Sequence, residues 1–362
     1  MTTGHFDYLI IGQGLAGSLL AWKLIRKGKK VLVIDNQHQH SSSIVAAGLL
    51  NPLGGMRFNH SPFVFEWIDR LENDYSQLEK LCGQPLLHWM DSLRLFRSEQ
   101  QFRFHQRRLD TPQSRPLLEE KLAPSELGQP VKAPWGGFRQ HRTGFVALTP
   151  LLKCISRWLL DQQALRQHDF DYAQLHIKQQ SVKYADITAG HIVFCEGYRA
   201  MRNPWFSDLP FAPDKGEILN LSPRQPHITH KKLPDTLVNG AHWLLPLPDG
   251  NFRFGATHGH RVFDENTTTE ARLSLERGMQ NLLEFPEALE ISAQQAGVRP
   301  ATADRLPFLG THNTFRNLHI FNGFGAHGSL SIPWYSSHMV NCLLKQKPIP
   351  GFCSIERFAG RA

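Results

Sequence analysis

The chain has 362 residues, a formal net charge of +8, 41% hydrophobic residues and 20% charged residues. This length supports a large hydrophobic core and is near the size at which one core gives way to two domains. The composition is typical of a soluble globular enzyme and excludes a disordered or fibrous chain. The basic residues are scattered, so the charge either steers an anionic substrate or RNA, or belongs to ordinary solvated surface.

The cysteines are odd in number and widely spaced, without a CxxC pair. We therefore expect reduced thiols and a cytoplasmic location, and neither a zinc site nor a disulfide scaffold. The apolar stretch from Tyr8 to Ile25 is interrupted by Gly-Gln-Gly and lacks a basic flank. For this reason we expect no signal peptide and no membrane span. The five cysteines are Cys82, Cys154, Cys195, Cys342 and Cys353.

The N-terminal region predicts a dinucleotide site. An apolar strand over 6–11 leads into the loop Gly12-Gln-Gly14-Leu-Ala-Gly17, and an amphipathic helix follows as far as Gly28. Gly12 permits the turn, Gly14 lets the backbone approach a pyrophosphate, and Gly17 lets the helix pack closely on the strand. A second apolar strand ends in Asp35, where an acid would accept ribose hydroxyls. The alternative is a structural glycine loop without a ligand.

Further along the chain the hydrophobic spacing predicts helices over about 60–82, 148–160 and 269–283. Residues from about 216 to 257 alternate between apolar and polar side chains, with turn residues between the runs, so they predict antiparallel strands. A strand over 192–194 ends in a glycine turn.

The C-terminal region repeats the strand, glycine loop and helix arrangement. The strand over 317–322 leads into Gly323-Phe-Gly-Ala-His-Gly328, and a helix follows to about Leu344. A second helix N-terminus aimed at the centre of the molecule would stabilise the negative charge of a reduced flavin, which nicotinamide does not acquire. The two loops therefore favour FAD over NAD. The alternatives are a second nucleotide site or a structural loop.

Together, these motifs resemble the D-amino-acid oxidase superfamily, and its glycine/sarcosine oxidase branch in particular. The resemblance implies an α/β (α+β overall) fold: a Rossmann-type FAD-binding domain and a smaller substrate domain with a mostly antiparallel sheet. The FAD-binding domain would take residues 1–60, 148–215 and 297–362, and the substrate domain 61–147 and 216–296. The motifs that carry the resemblance are Gly12–Gly17, Cys195-Glu-Gly197, Asp214-Lys-Gly-Glu217, the Gly-Val-Arg-Pro-Ala-Thr-Ala-Asp-Arg-Leu-Pro stretch from Gly297, and Gly323–Gly328.

The resemblance also implies how FAD is held. Residues 42–50 would lie along the isoalloxazine, residues 195–197 near the pyrophosphate, and a backbone strand near Phe170 would hold adenine. Relatives that attach flavin covalently use a cysteine near the Gly-Val-Arg-Pro segment, and this chain has none there, so we expect non-covalent FAD. The residues expected to bind it are Gly12, Gly14, Leu15, Ala16, Gly17, Asp35, Ser42, Ala46, Ala47, Gly48, Leu49, Phe170, Cys195, Glu196, Gly197, Gly323, Gly325, Ala326 and Gly328.

Arg299 is the candidate substrate anchor. In sequences of this branch, the arginine of the Gly-x-Arg-Pro motif grips the substrate carboxylate, and a guanidinium makes the planar bidentate contact that such anchoring needs. Hydride transfer to flavin then requires orientation more than a dedicated base. The alternative is a structural arginine that pairs with a nearby acid such as Asp304.

Two positions depart from the glycine oxidase pattern. Ala326 followed by His327 replaces a second arginine, and Trp243 stands where a pocket tyrosine is usual. Both make glycine itself a doubtful substrate. His327 is a candidate for a hydrogen bond to flavin or substrate, with a structural role as the alternative, and His258 and His260 are weaker candidates.

The implied activity is FAD-dependent oxidation of the C–N bond of an amino acid or N-substituted glycine. A second resemblance is to the FAD domain that removes a carboxymethyl group from a wobble-uridine side chain in tRNA, which would make tRNA a partner. A third possibility is a flavin-binding protein without turnover. The sequence leaves the electron acceptor and the oligomeric state open.

Overall fold

The structure is a computed structural model that describes residues 4–39, 41–225, 232–260, 262–345 and 347–358. Residues 226–231, within the stretch predicted to form antiparallel strands, lie outside the described residues. The α-helices are α1 (Leu15–Arg26), α2 (Ser42–Val45), α3 (Val64–Cys82), α4 (Glu99–Leu109), α5 (Leu148–Asp161), α6 (Thr269–Leu282) and α7 (Gly328–Lys345). The strands are β1 (His5–Ile11), β2 (Val31–Asp35), β3 (Leu49–Leu50), β4 (Leu87–Trp89), β5 (Ser92–Leu95), β6 (Gly137–Gln140), β7 (Gly144–Val146), β8 (Leu165–Gln167), β9 (Leu175–Ile177), β10 (Val182–Tyr184), β11 (Ile187–Phe194), β12 (Asp214–Pro223), β13 (Leu237–Asn239), β14 (Trp243–Pro246), β15 (Phe252–Gly255), β16 (Gly259–His260), β17 (Leu289–Arg299), β18 (Phe308–Thr311) and β19 (Leu318–Asn322).

The first sheet is mainly parallel, with the strand order β18-β19-β11-β1-β2-β8. Its strand β1 is apolar on both faces, as a covered parallel strand must be. Ile10 joins the core that contains α1 and α7, whereas its neighbours Leu9 and Ile11 join a separate core on the opposite face. The carboxyl ends of β1, β2, β11 and β19 point the same way because these strands are parallel. Their following loops therefore meet at one edge of the sheet.

The second sheet is mostly antiparallel, with the order β16-β12-β15-β14-β13-β5-β6 and β17 paired with β12. Only the β13–β5 pair within this sheet is parallel in the described residues. Helix α6, which begins after its N-cap Thr268, packs Leu275 and Met279 into the core beneath the sheet. A third sheet has the strand order β3-β7-β4. The predicted α/β (α+β overall) class is confirmed.

The predicted division into two domains stays a prediction. Two of its boundaries, 215/216 and 296/297, fall inside β12 and β17. Both strands belong to the second sheet along their whole length. A boundary in the loop before Asp214 and another after Arg299 would keep each sheet intact.

The expectation that all cysteines are free thiols is wrong. Cys82, at the end of α3, forms a disulfide with Cys154 in α5, and their Cα atoms are 5.7 Å apart. The two residues are 72 positions apart in the chain, so only the packing of α3 against α5 brings them together. Cys195, Cys342 and Cys353 are free. Every described helix is too short or too polar to cross a bilayer.

The glycine loop after β1 allows a very close approach of α1. Gly12 has a φ of +95°, which favours glycine. A Cβ placed on Gly17 would overlap the carbonyl oxygen of Gly12, and a Cβ placed on Gly12 would lie 2.6 Å from the carbonyl oxygen of Cys195. The contact partners are backbone atoms, which cannot rotate away.

We therefore expect Gly17→Ala to lower the free energy of unfolding by about 1–3 kcal/mol, because α1 must move away from β1 to admit the methyl group. Urea denaturation measures this change. Gly351→Ala is the matched control, since a Cβ there meets nothing within 4 Å. Equal stability of the two variants would contradict the close contact.

Candidate functional site

A cavity of about 480 Å³ lies where the loops of the first sheet face the second sheet. It is lined by residues that follow β1, β2, β11 and β19, and by residues of β5, β12, β13, β14, β15 and β17. The carboxyl edge of an open parallel sheet is where such folds bind ligands.

The structure brings nearly all predicted site residues to this cavity. Of the predicted cofactor residues, Gly17 and Gly323 alone do not line it. Gly17 packs against the backbone of Gly12 in the loop. Gly323 packs against Thr302, since a Cβ on Gly323 would lie 2.7 Å from the Thr302 side chain. The predicted residues that line the cavity are Gly12, Gly14, Leu15, Ala16, Asp35, Ser42, Ala46, Ala47, Gly48, Leu49, Phe170, Cys195, Glu196, Gly197, Gly325, Ala326, Gly328, Trp243, Arg299 and His327.

The N-terminus of α1 opens into the cavity; its N-cap Gly14 has no side chain, and Leu15 N donates to Ser43 Oγ at 3.2 Å. Asp35 holds the loop in front of it: Gln13 N donates to Oδ2 at 2.8 Å, and His38 N donates to Oδ1 at 2.7 Å. Each carboxylate oxygen has a further lone pair. Asp35 can thus order the loop and still accept a hydroxyl from a ligand.

Glu196 lies beside this loop and accepts two hydrogen bonds. Tyr172 Oη donates to Oε1 at 2.6 Å, and Asn203 Nδ2 donates to Oε2 at 2.9 Å. Burial raises the pKa of Glu196 to about 7, and these hydrogen bonds oppose the rise only in part. The carboxyl group is therefore partly neutral at physiological pH.

Phe170 lines the cavity, but the expectation of a backbone strand there is wrong. Strand β8 ends at Gln167, and Asp171 then caps a short 3₁₀ turn by accepting a hydrogen bond from Ala173 N at 3.0 Å. The Phe170 ring stacks on Tyr184 with 4.5 Å between centroids.

One wall of the cavity is a row of residues in register across the second sheet. Arg94 pairs with Asn239, Asn239 with Trp243, Trp243 with Gly255, and Gly255 with Ile218. All five line the cavity. Residues directly opposite each other share a face of the sheet, so this row presents its side chains together.

Arg299 is part of an ion-pair cluster at the end of β17. Its Nη1 donates to Asp214 Oδ2 at 2.8 Å, and the guanidinium lies so close over Gly216 that any side chain there would displace it. His258 Nδ1 lies 2.6 Å from the same carboxylate oxygen. Burial opposes ionisation of Asp214, but the hydrogen bonds from His258 and Arg299 outweigh it and hold its pKa below the usual value.

The alternative for Arg299 was a pair with a nearby acid such as Asp304; Arg299 does pair with an acid, but the acid is Asp214 and not Asp304. Asp304 accepts from Arg357 Nε at 2.8 Å. The partner of Arg299 is Asp214 because the β12–β17 register places these two residues opposite each other.

The candidate histidines differ in position. His327 is exposed to the cavity, and desolvation by the protein around it lowers its pKa, so its imidazole is neutral at pH 7. His258 lines the cavity through its contact with Asp214. His260 is 83% exposed and does not line it.

The sequence analysis did not identify Arg94, Asn51, Asn239 or His242, all of which line the cavity. One signal for Arg94 was available. Strand β5 has the sequence Ser-Leu-Arg-Leu, and all four residues, the arginine included, are buried. An arginine in such a strand requires a polar environment that the fold must supply.

Glu196 generates a prediction about pH. Its raised pKa means that the folded state favours the protonated form, so the associated stability is complete below pH 4.5 and is lost as the pH rises through 7. Between pH 4 and pH 8 the unfolding free energy of the ligand-free protein should fall by about 3 kcal/mol more than that of Glu196→Gln.

Chemical denaturation across this pH range measures the difference. The exposed Glu284→Gln is the control and should follow the wild type. Parallel pH profiles for the wild type and Glu196→Gln would contradict the buried carboxyl.

Comparisons with known proteins agree with this geometry. Residues 7–341 match the family model described as FAD dependent oxidoreductase, DAO. The chain is 26% identical over 357 residues to the bifunctional protein ThiO/ThiG of a Nostoc species, covering 95% of this chain and 53% of that protein. It is 25% identical over 370 residues to glycine oxidase of Pseudomonas putida, covering 94% and 95%. The chain thus spans about half of the bifunctional relative.

Two solved structures show the same fold. The crystal structure of glycine oxidase from Geobacillus kaustophilus superimposes with a TM-score of 0.81 at 20% identity, over 95% of each chain. Iminodiacetate oxidase from a Chelativorans species gives a TM-score of 0.78 at 22% identity, over 95% of this chain and 97% of that one.

The residues present fit FAD. The N-terminus of α1 and the left-handed Gly12 form a phosphate cradle, and a second helix, α7, begins at the cavity-lining Gly328. The match to the family model covers most of the chain. The protein belongs to the DAO family of FAD-dependent oxidoreductases.

Proposed function

We propose that the protein oxidises the C–N bond of an amino acid or an N-substituted glycine, with FAD bound non-covalently. The observation that carries this proposal is the joining of a phosphate cradle and an arginine-bearing wall in one cavity. Guanidinium groups suit carboxylate substrates because they donate two parallel hydrogen bonds. Relatives named glycine oxidase and a fold neighbour named iminodiacetate oxidase support the same class.

Residues of the first sheet would hold the cofactor. The N–H groups at the start of α1 would bind the pyrophosphate, and Asp35 would accept a ribose hydroxyl. Residues 42–49, 195–197 and 325–328 supply the remaining cavity wall on that side. FAD, when bound, supplies the hydride acceptor for amine oxidation.

Residues of the second sheet would orient the substrate. Asp214 fixes one edge of the Arg299 guanidinium, and the remaining N–H groups would donate to a substrate carboxylate. Trp243 narrows the cavity beside Gly255, where a Cβ would lie 2.8 Å from the indole ring. The neutral His327 can donate or accept one hydrogen bond.

The same experiment tests two other possibilities, a tRNA substrate and a flavin-binding protein without turnover. A tRNA wobble-uridine side chain is an N-alkylglycine, so Arg299 would serve it equally well, and the net charge of +8 is compatible with RNA. A cytoplasmic location stays a prediction that the Cys82–Cys154 disulfide does not favour. A flavin-binding protein without turnover would show no reduction by any amine.

The test is anaerobic bleaching of the flavin absorbance. Amino acids and N-alkylglycines should reduce the flavin, and matched amines without a carboxylate should reduce it poorly. Bulk tRNA is a separate arm. Reduction of the flavin by tRNA and by none of the small amines would identify tRNA as the substrate. The absence of flavin reduction in every arm would refute the proposal.

Asp35→Ala should weaken FAD binding while the protein remains folded. The lost charge-assisted hydrogen bond is worth about 1.5–3 kcal/mol, or roughly a 10- to 150-fold rise in Kd. Acid should release intact FAD from the wild type, and titration of the resulting apoprotein gives the Kd values.

The matched control is Asp7→Ala. Asp7 also accepts a backbone N–H, from Lys30 at 2.8 Å, but does not line the cavity. If both variants bind FAD like the wild type, Asp35 is not a cofactor ligand.

Arg299→Ala should keep the flavin spectrum and slow reduction by carboxylate substrates by roughly 100-fold or more, because binding and orientation are lost together. Arg299→Lys should recover part of the rate, since an ammonium lacks the planar fork. Rapid-mixing kinetics measures both.

The exposed Arg305→Ala, away from the cavity, is the control and should match the wild type. If the wild type oxidises matched amines equally well with and without a carboxylate, Arg299 has a structural role.

A further inference from the structure

Arg94 is a buried arginine whose charge is unbalanced. It lies in β5, is 8% exposed and lines the cavity. Its Nη1 atom is buried without a hydrogen-bond partner among the described residues. An unpaired buried charge is costly, so a fold retains one where a ligand supplies the missing partner.

The described residues around Arg94 do not supply an anion. The guanidinium lies 5.3 Å from the centre of the Phe58 ring, which is fully buried. Burial, and secondarily the positive charge of Arg97, lowers the pKa of Arg94 to about 10, so the side chain is still charged at pH 7. Its register partner Asn239 also lines the cavity and is neutral.

The two arginines on the second-sheet wall of the cavity are therefore in different states. Arg299 is paired with Asp214 at 2.8 Å, whereas no described carboxylate pairs with Arg94. Their strands, β17 and β5, are five strand spacings apart in the second sheet. This is about 24 Å across the strands. Arg299 also lies four residues further along β17 than Gln295, the register partner of Ile218, so two long side chains must reach into the cavity to span the gap.

We propose that Arg94 binds a carboxylate of the substrate, and that the substrate is an amine with two carboxylates, one for each arginine. An amino dicarboxylate and an N-carboxyalkyl amino acid are the two forms of this class. The proposal rests on the proposed function for its reaction, but the binding of a dicarboxylate at Arg94 does not depend on turnover.

The experiment uses the FAD-loaded protein and acids that lack an amine and cannot be oxidised at a C–N bond. Succinate, glutarate and adipate are compared with acetate and butyrate by perturbation of the flavin absorbance and by calorimetry. The wild type should bind the best dicarboxylate at least about tenfold more tightly than either monocarboxylate, because the second ion pair is buried.

Variants assign the preference to Arg94. Arg94→Met should raise the dicarboxylate Kd by about 10- to 100-fold and abolish the preference, and Arg94→Lys should lie between. Arg97→Met removes the same charge from an exposed neighbour that does not line the cavity, and it should bind like the wild type.

A stability measurement separates binding from structure. Removal of an unpaired buried charge should raise the melting temperature of Arg94→Met without added acid by about 2 °C or more. A purely structural arginine would lower it. If Arg94→Met does not fold, the affinities of the wild type and Arg94→Lys decide.

The proposal is overturned if the wild type shows no preference for dicarboxylates, or if a folded Arg94 variant keeps that preference. Dicarboxylate binding that depends on Arg94, without reduction by any amine, would support the site and refute the proposed function. Amine oxidation without such binding would do the reverse.

Discussion

The geometry of the cavity depends on how closely α1 packs against β1. Any side chain at Gly17 would overlap the Gly12 carbonyl oxygen, so the helix sits as close to the sheet as backbone atoms allow. This contact brings the N-terminus of α1 to the same edge as Asp35, which ends β2, and Cys195, which follows β11. If the helix moved outward, its N–H groups would leave the cavity and Asp35 would lose the Gln13 N–H that it now binds.

The groups that favour phosphates and the groups that favour carboxylates lie on opposite walls of the cavity. The first-sheet side holds a helix N-terminus and a Glu196 carboxyl with a pKa of about 7, both of which reduce repulsion toward phosphates. The second-sheet side carries Arg94 and Arg299, of which one is balanced by Asp214. A cofactor with a pyrophosphate and a substrate with carboxylates would therefore meet favourable fields at different walls of one cavity.

The sequence predicted those parts of the protein that depend on local structure. Both glycine loops, the helices α3, α5 and α6 and the apolar strands follow from turn chemistry and hydrophobic periodicity, and the observed bounds agree within a few residues. The family resemblance located Arg299. Its partner could not be predicted from the sequence, because the Asp214–Arg299 pair depends on the register of β12 against β17 and the two residues are 85 positions apart in the chain.

Two further failures have the same non-local origin. The Cys82–Cys154 disulfide requires the packing of α3 on α5, and the cavity position of Arg94 requires the parallel pairing of β5 with β13. Neither leaves a periodic signal in the chain. Phe170 is a local failure, since β8 ends at Gln167, three residues before it.

The row from Arg94 to Ile218 has a consequence for how this protein can change over evolutionary time. Its residues come from five strands, and each faces the cavity only because every neighbouring pair keeps its alignment. Inserting or deleting one residue within any of these strands would rotate the side chains beyond it to the opposite face. Length variation is thus confined to the connecting loops, and new substrate preferences must arise by exchanging one side chain for another at fixed positions of the row.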